Sequence, residues 1–253
     1  MGRIAEVNCF SESLAQYRDG YAIVVVDVIR ATTTAVTGVA PTRRCFPMPS
    51  LEAATSLVES LENPPLLVGE LGGHKPCGFD LTNSLAAVAL RSDTSRPMIL
   101  LSTAGTKVLC EAAKECDAVY TACLRNYSAQ VRFFAARHRK VAVIGAGTRG
   151  EFREEDQMCC AWIAEGLVNA GYTCDEQTAR VVKRWSGCPV DAFLGSKSVE
   201  YLTRSGQMSD LHFILEHIDD VDAVFALKNN EITSVPVSTR AFQESQQPSR
   251  AGS

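Results

Sequence analysis

The stretch VVVDVIRATTT, residues 24–34, decides the fold class. Residues 23–26 are one Ile and three Val, with no alternation of apolar and polar positions. A strand of this kind is buried on both faces, as in a parallel sheet held between helices. Asp27 closes the run and Arg30 follows three residues on. The threonines after it open a helix with hydroxyls available as caps. Ligands of open α/β sheets sit at such corners, in the crevice beyond the carboxyl ends of the strands.

Working outward, the same alternation recurs. Residues 43–47 predict a short strand and 50–62 a helix, with Ser50 as N-cap and apolar positions at 51, 54, 57, 58 and 61. Pro64 and Pro65 stop it. Strands are expected over 66–69, 98–101, 118–122 and 141–144, and helices over 83–91, 106–116, 128–137 and 154–169. Strand–helix alternation implies a mainly parallel sheet covered on both faces, a three-layer α/β/α fold. The pattern changes near residue 172, where a second subdomain could begin within a folded region spanning 1–240. Residues 176–218 read as mostly helical, with short helices over 198–205 and 209–217. The runs 224–227 and 232–237, joined through Asn229-Asn230, read as a closing hairpin. Residues 241–253 are polar and aperiodic, which predicts a disordered tail.

With 253 residues, 46% hydrophobic and 21% charged, the chain suits one large α/β domain or two small ones. A net charge of −4 without a basic stripe gives no footprint for nucleic acid. The apolar runs fall far short of the ~20 residues of a bilayer span. MGRIAEVNCF has no apolar signal core, so a cytoplasmic protein with no membrane partner is expected. The ten cysteines include no C-x-x-C and no zinc-finger spacing, so reduced, buried thiols are expected. Cys77, in a Gly/Pro loop of a candidate site, is left open to another role. The sequence does not fix the oligomeric state; a homodimer is the working assumption.

Four corners carry chemistry. At the first, Asp27 offers a hard oxygen to a divalent cation, Arg30 a planar fork for an anion and Thr32 a hydroxyl. The plainer alternative is an Asp–Arg pair that only fixes the loop. The second, GELGGHKPCGFDLTNS (69–84), sets Glu70 after a strand and places Asp80, Asn83 and Ser84 in a glycine-rich loop whose amides can approach an anion. Its plainer reading is a surface loop in which Asn83 or Ser84 caps a helix. The third, STAGTK (102–107), places Thr103, Gly105 and Thr106 at a helix N-terminus, a favourable place for anions. It lacks G-x-x-x-x-G-K-[ST] and is no nucleotide P-loop. The fourth, GAGTRGEFREED (145–156), supplies Gly147, Thr148 and a second guanidinium, Arg149, followed by Glu154, Glu155 and Asp156. Acidic residues there are favoured by the helix dipole alone, though one facing the crevice would complete a metal site. That same charge argues against reading GAGTRG as a dinucleotide fingerprint.

Taken in order, VVVDVIRATTT, GELGGHKPCGFDLTNS, TAGTK and AGTRGEFREED resemble the 2-phosphosulfolactate phosphatase family. Its members carry V-V-x-D-V-[LI]-R-A-T-T-T, G-E-x-G-G…G-F-D-x-x-N-S, N-G-T and A-G-T-x-G-x-F…E-D segments. SKSVEYLTRSG…SDLHFILEHIDDVDAV is similar to that family's C-terminal part, so the resemblance covers residues 20–235. It implies a magnesium-dependent phosphatase that hydrolyses 2-phospho-3-sulfolactate, or a similar small phosphorylated hydroxy acid, to the alcohol and phosphate, a step toward coenzyme M. Ala104 stands where N-G-T has Asn, which bears on substrate identity, and Gly145 stands where the family often has Cys.

The expected site follows from both readings. Mg2+ would be held by Asp27 with Glu70 or Asp156, and Asp27, Arg30, Asp80 and Arg149 would form the catalytic set. Thr32, Asn83, Ser84, Thr103, Gly105, Thr106, Gly147 and Thr148 would contact a small anionic phosphorylated substrate. The nucleophile is either a metal-polarised water or a carboxylate, of which Asp27 is the better placed. A lyase or phosphotransferase on a similar substrate, or a non-catalytic anion-binding protein, would use the same corners.

Overall fold

The computed structural model describes residues 2–236, so the tail expected over 241–253 lies outside the described residues. The strands are β1 (Ile4–Cys9), β2 (Ala22–Val26), β3 (Cys45–Met48), β4 (Leu66–Gly69), β5 (Met98–Leu101), β6 (Val119–Ala122), β7 (Lys140–Gly145), β8 (Val224–Lys228) and β9 (Glu231–Val235). The helices are α1 (Ala31–Val39), α2 (Leu51–Ser60), α3 (Leu85–Ala89), α4 (Gly105–Glu115), α5 (Tyr127–Arg137), α6 (Glu154–Asn169), α7 (Glu176–Trp185), α8 (Lys197–Arg204) and α9 (Met208–Glu216).

All the strands join one sheet in the order β1-β7-β2-β6-β8-β9-β3-β5-β4. The set β1-β7-β2-β6 is parallel, and so is β3-β5-β4. The β8–β9 hairpin lies between them, antiparallel to β6 on one side and to β3 on the other. The hairpin therefore joins two parallel sets and does not close the sheet at an edge. Its two tight-turn residues, Asn229 (φ 50°) and Asn230 (φ 62°), have the left-handed backbone of a type I′ turn. Three antiparallel pairings, β6–β8, β8–β9 and β9–β3, reverse the direction of β3-β5-β4 relative to β6. Corners from both sets nevertheless line one cleft, Asp27 and Thr148 from the first and Glu70 and Thr103 from the second. The edge strand β1 is absent from the sequence expectation, because its short alternation, Ile4 to Cys9 with Glu6 and Asn8 half-buried, is a weaker signal than a fully apolar run.

One sheet face is shared by both sets: Ile23, Val25, Leu66, Val68, Leu100, Ile144 and Phe225 pack with Val36 of α1 and Leu109 of α4. On the other face, Val24, Val26, Val141 and Val143 meet Phe133, Phe134 and Ile163 of α5 and α6. Phe46, Ile99 and Leu101 meet Ala54 of α2 on the same side of the second set. These are the three layers the alternation predicts. All of α1 is buried, which accounts for its composition of Ala, Thr, Val and Gly without a single charge. Among the described residues no helix is long and apolar enough to cross a membrane.

Candidate active site

The first and third corners share one device. The amide of Asp27 donates to Thr32 Oγ1 (2.8 Å), and that hydroxyl donates to the Asp27 carbonyl (2.8 Å). At the end of β5 the amide of Ser102 donates to Thr106 Oγ1 (2.9 Å), which donates to the Ser102 carbonyl (3.1 Å). Both threonines are fully buried and neither lines the cleft, so they staple the strand-to-helix corners. The staple holds Asp27 over the start of α1, where its carboxylate accepts the Ala31 amide. Gly105 begins α4 directly against it: a Cβ there would lie 2.2 Å from Asp27 Oδ2. Gly105 is required by this approach.

Glu70 ties the second corner to the third. Its carboxylate accepts from the amides of Gly73 (2.7 Å) and Thr103 (2.8 Å) and from Thr103 Oγ1 (2.8 Å), while Thr103 Oγ1 accepts from Gly72 (2.8 Å). Asp80 sits elsewhere. Its carboxylate accepts from the Leu67 amide and the Arg96 guanidinium (2.9 Å each), fastening the long loop to β4 outside the cleft. The catalytic assignment of Asp80 is therefore corrected to a loop anchor. Cys77 is exposed and is not among the residues lining the cleft.

Arg30 directs its guanidinium from the start of α1 to α9. Its Nη1 donates to Asp210 Oδ2 (2.8 Å) and to Gln207 Oε1. The other oxygen of Asp210 accepts from Ser84 Oγ (2.6 Å) and the Ala86 amide (3.1 Å). Ser84 also caps α3, accepting from Ala87, so its hydroxyl is spent on structure. Its neighbour Asn83 lines the cleft and has a buried Oδ1 without a hydrogen-bond partner.

The fourth corner is a tight turn, not a helix start. Thr148 and Glu151 exchange backbone hydrogen bonds (2.9 and 3.1 Å) around Arg149 (φ 54°) and Gly150 (φ 74°). Thr148 and the exposed Arg149 line the cleft. Gly147 lies against Phe10, where a Cβ would come within 2.3 Å of the ring. Gly145 is the departure from the resembling family, and the Phe152 ring explains it: a Cβ would stand 2.2 Å from that ring. Asp156 is buried behind Asp27, with Oδ1 accepting from the Val28 amide (2.7 Å), and does not line the cleft. Glu154 points outward to Arg184 (2.7 Å).

The resulting cleft holds about 420 Å³. Besides Asp27, Arg30, Glu70, Asn83 and Arg149, it is lined by Arg153 and by Lys197, Tyr201 and Arg204 of α8. The Tyr201 hydroxyl donates to the Gly73 carbonyl (2.7 Å), fixing α8 across the second corner. Sequence reasoning missed these α8 residues and Asp210, because α8 and α9 read as ordinary amphipathic helices and only the tertiary packing brings them to the site.

Carboxylates crowd beneath this cationic rim. Burial, and then the charge of Glu70, push Asp27 up to about 7. Burial and the neighbouring Asp27 and Glu155 raise Asp156 well above the usual range. Burial likewise raises Glu155, against the hydroxyls of Ser198 and Ser196, which lower it. Massed, buried carboxylates of this kind fit a hard cation. The three-ligand set of Asp27, Glu70 and Asp156 is not assembled, however. Among the described residues no group of three or more His, Cys, Asp or Glu is placed to share one ion.

The model of the 2-phosphosulpholactate phosphatase family matches residues 9–230. The chain belongs to that family. Similar proteins named probable 2-phosphosulfolactate phosphatase include one from Clostridium perfringens (strain 13 / Type A), 28% identical over 89% of this chain and 92% of its own length. Others are from Deinococcus radiodurans, 34% identical over 75% of this chain and 80% of its own, and Thermus thermophilus, 34% identical over 76% and 81%. The 2-phosphosulpholactate phosphatase match runs from the end of β1 into the β8–β9 turn and so includes all four corners, α8 and α9.

Proposed function

We propose that this member of a phosphatase family is a magnesium-dependent hydrolase of 2-phosphosulfolactate or a closely similar phosphorylated hydroxy acid. The observation that carries the reading is the meeting, in one small cleft, of a buried Asp27 with Arg30, Arg149 and Glu70. A phosphate monoester must have its charge neutralised, its leaving oxygen stabilised and a nucleophile aligned opposite it. Of the carboxylates lining the cleft, Glu151 is paired with Arg153 and Lys197 and Glu200 with Arg204, which leaves Asp27 and Glu70 for a metal, and one or two carboxylates plus phosphate oxygens suffice for Mg2+. When bound, Mg2+ would supply charge neutralisation and polarise the reacting oxygens.

The chain's own groups do the rest. Arg30 and Arg149 bind the anionic oxygens, and the Asn83 amide meets a polar group of the substrate. Asp27, with a pKa near 7, can hold or release a proton at neutral pH, as a base toward the attacking water or as the attacking carboxylate itself. The bond broken is P–O; the products are the hydroxy acid and inorganic phosphate. The test is phosphate release from racemic 2-phosphosulfolactate and from phospholactate, with Mg2+ and with chelator. Mg2+-dependent release from the sulfonate supports the reading. Release from phospholactate alone would move the substrate and point to Ala104, and release from neither would overturn it.

A further inference from the structure

Arg30 is anchored from the far end of the chain. Asp210, in α9, is fully buried, and so is all but a small part of the Arg30 side chain. A buried carboxylate needs its lone pairs occupied, and Asp210 has three donors: Arg30 Nη1 at 2.8 Å, Ser84 Oγ at 2.6 Å and the Ala86 amide at 3.1 Å. Gln207, three residues earlier, accepts from the same Nη1. The Gln207 amide is oriented by its own Nε2, which donates to Ser205 Oγ (2.9 Å). One edge of the guanidinium is thus fully engaged. Among the described residues, Nε and Nη2 of Arg30 have no hydrogen-bond partner, and Arg30 lines the cleft.

We propose that Asp210 is a positioning residue for the reaction: it grips the Arg30 guanidinium by Nη1, so that the remaining donors face the substrate's anionic group in a fixed plane. Through Ser84 and Ala86 the same carboxylate sets the Asn83 loop, so that two substrate-facing groups share one buried anchor. The planar fork is what makes this possible. A lysine ammonium could satisfy Asp210 or the substrate, but it has no second rigid edge. The inference rests on the phosphatase reading for its kinetic consequences but not for its binding consequence.

The test uses the full chain and two readouts, kcat and KM for the active substrate and the affinity for inorganic phosphate by calorimetry. Asp210→Asn keeps the hydrogen bonds from Ser84 and Ala86 available but loses the charge that grips Arg30. It is expected to lower kcat/KM about 100-fold, the cost of small misplacements at a reacting centre, with KM raised and phosphate affinity weakened. A merely structural role would lower only the apparent kcat, through a reduced folded fraction. Because Asp210→Asn leaves a buried guanidinium poorly paired and could fail to fold, a second pair of variants is decisive. In Arg30→Ala, added methylguanidinium should restore phosphate release on the order of tenfold, because Asp210 binds it in the vacated space. In Arg30→Ala/Asp210→Asn, where neither charge of the pair remains, there should be no rescue. Equal rescue in both, or unchanged KM and phosphate affinity in Asp210→Asn, would overturn the proposal. A wild-type chain that releases no phosphate from any substrate would sink the phosphatase reading instead, and the phosphate affinities would then judge Asp210 alone.

Discussion

Asp27 pits stability against function. The native state holds its proton more tightly than the unfolded chain does, because burial and Glu70 raise the carboxyl from 3.8 to about 7. The stability this contributes is complete below pH 3.8 and is lost as pH rises through about 7. Asp27→Asn keeps an acceptor for the Ala31 amide and cannot ionise. It is therefore expected to abolish phosphate release while melting several degrees above wild type at pH 8 without ligand, the gap closing toward pH 4. Thermal melts across that range check it; a variant melting below wild type at pH 8 would refute the burial argument. Gly105→Ala tests the opposing wall. Its Cβ would collide with Asp27 Oδ2 at 2.2 Å, although alanine otherwise favours a helix. The same Cβ would also meet the Ala31 Cβ at 2.7 Å, so a roughly 100-fold loss in kcat/KM together with a lowered melting temperature is expected.

Among the elements, α1 and the β8–β9 hairpin carry different burdens. α1 is buried throughout, and the Thr32 staple fixes its start, so one helix sets both Asp27 and Arg30. The hairpin joins the two parallel sets through a turn in which both asparagines adopt positive φ. Asn230→Gly supplies the Asn-Gly pair that type I′ turns favour and should stabilise by about 0.5 kcal/mol. Asn230→Val, β-branched at the same φ, should destabilise by about 1–2 kcal/mol. Denaturant melts of the two variants should bracket wild type. Because the hairpin lies inside the sheet, the valine variant should lose stability in one cooperative transition; a separate early transition would show that the two sets unfold independently.

On the scale of the whole molecule, the site exists because the two parallel sets bring their corners together and α8 and α9 close over them. If Asp27 takes part in holding Mg2+, protons compete with the metal below about pH 7. The Mg2+-induced rise in melting temperature should then be larger at pH 8 than at pH 6 and vanish with chelator; a pH-independent rise would remove Asp27 from the metal site. The sequence alone determined the three-layer fold, since an unbroken Ile-Val run can be buried on both faces only between helices. It also placed Asp27, Arg30, Glu70, Thr103, Thr148 and Arg149 just past strand ends, because local periodicity marks where a strand stops, and Asn83 in the glycine-rich loop between β4 and α3. The inward β8–β9 hairpin, the removal of Asp80 and Asp156 from the cleft, and the arrival of Asp210, Lys197 and Arg204 were decided by tertiary structure. These depend on which distant elements pack together, and Asp210 reaches Arg30 across 180 residues of chain. Local pattern records an element's own buried face; the partner that meets that face is chosen by the packing of the whole sheet.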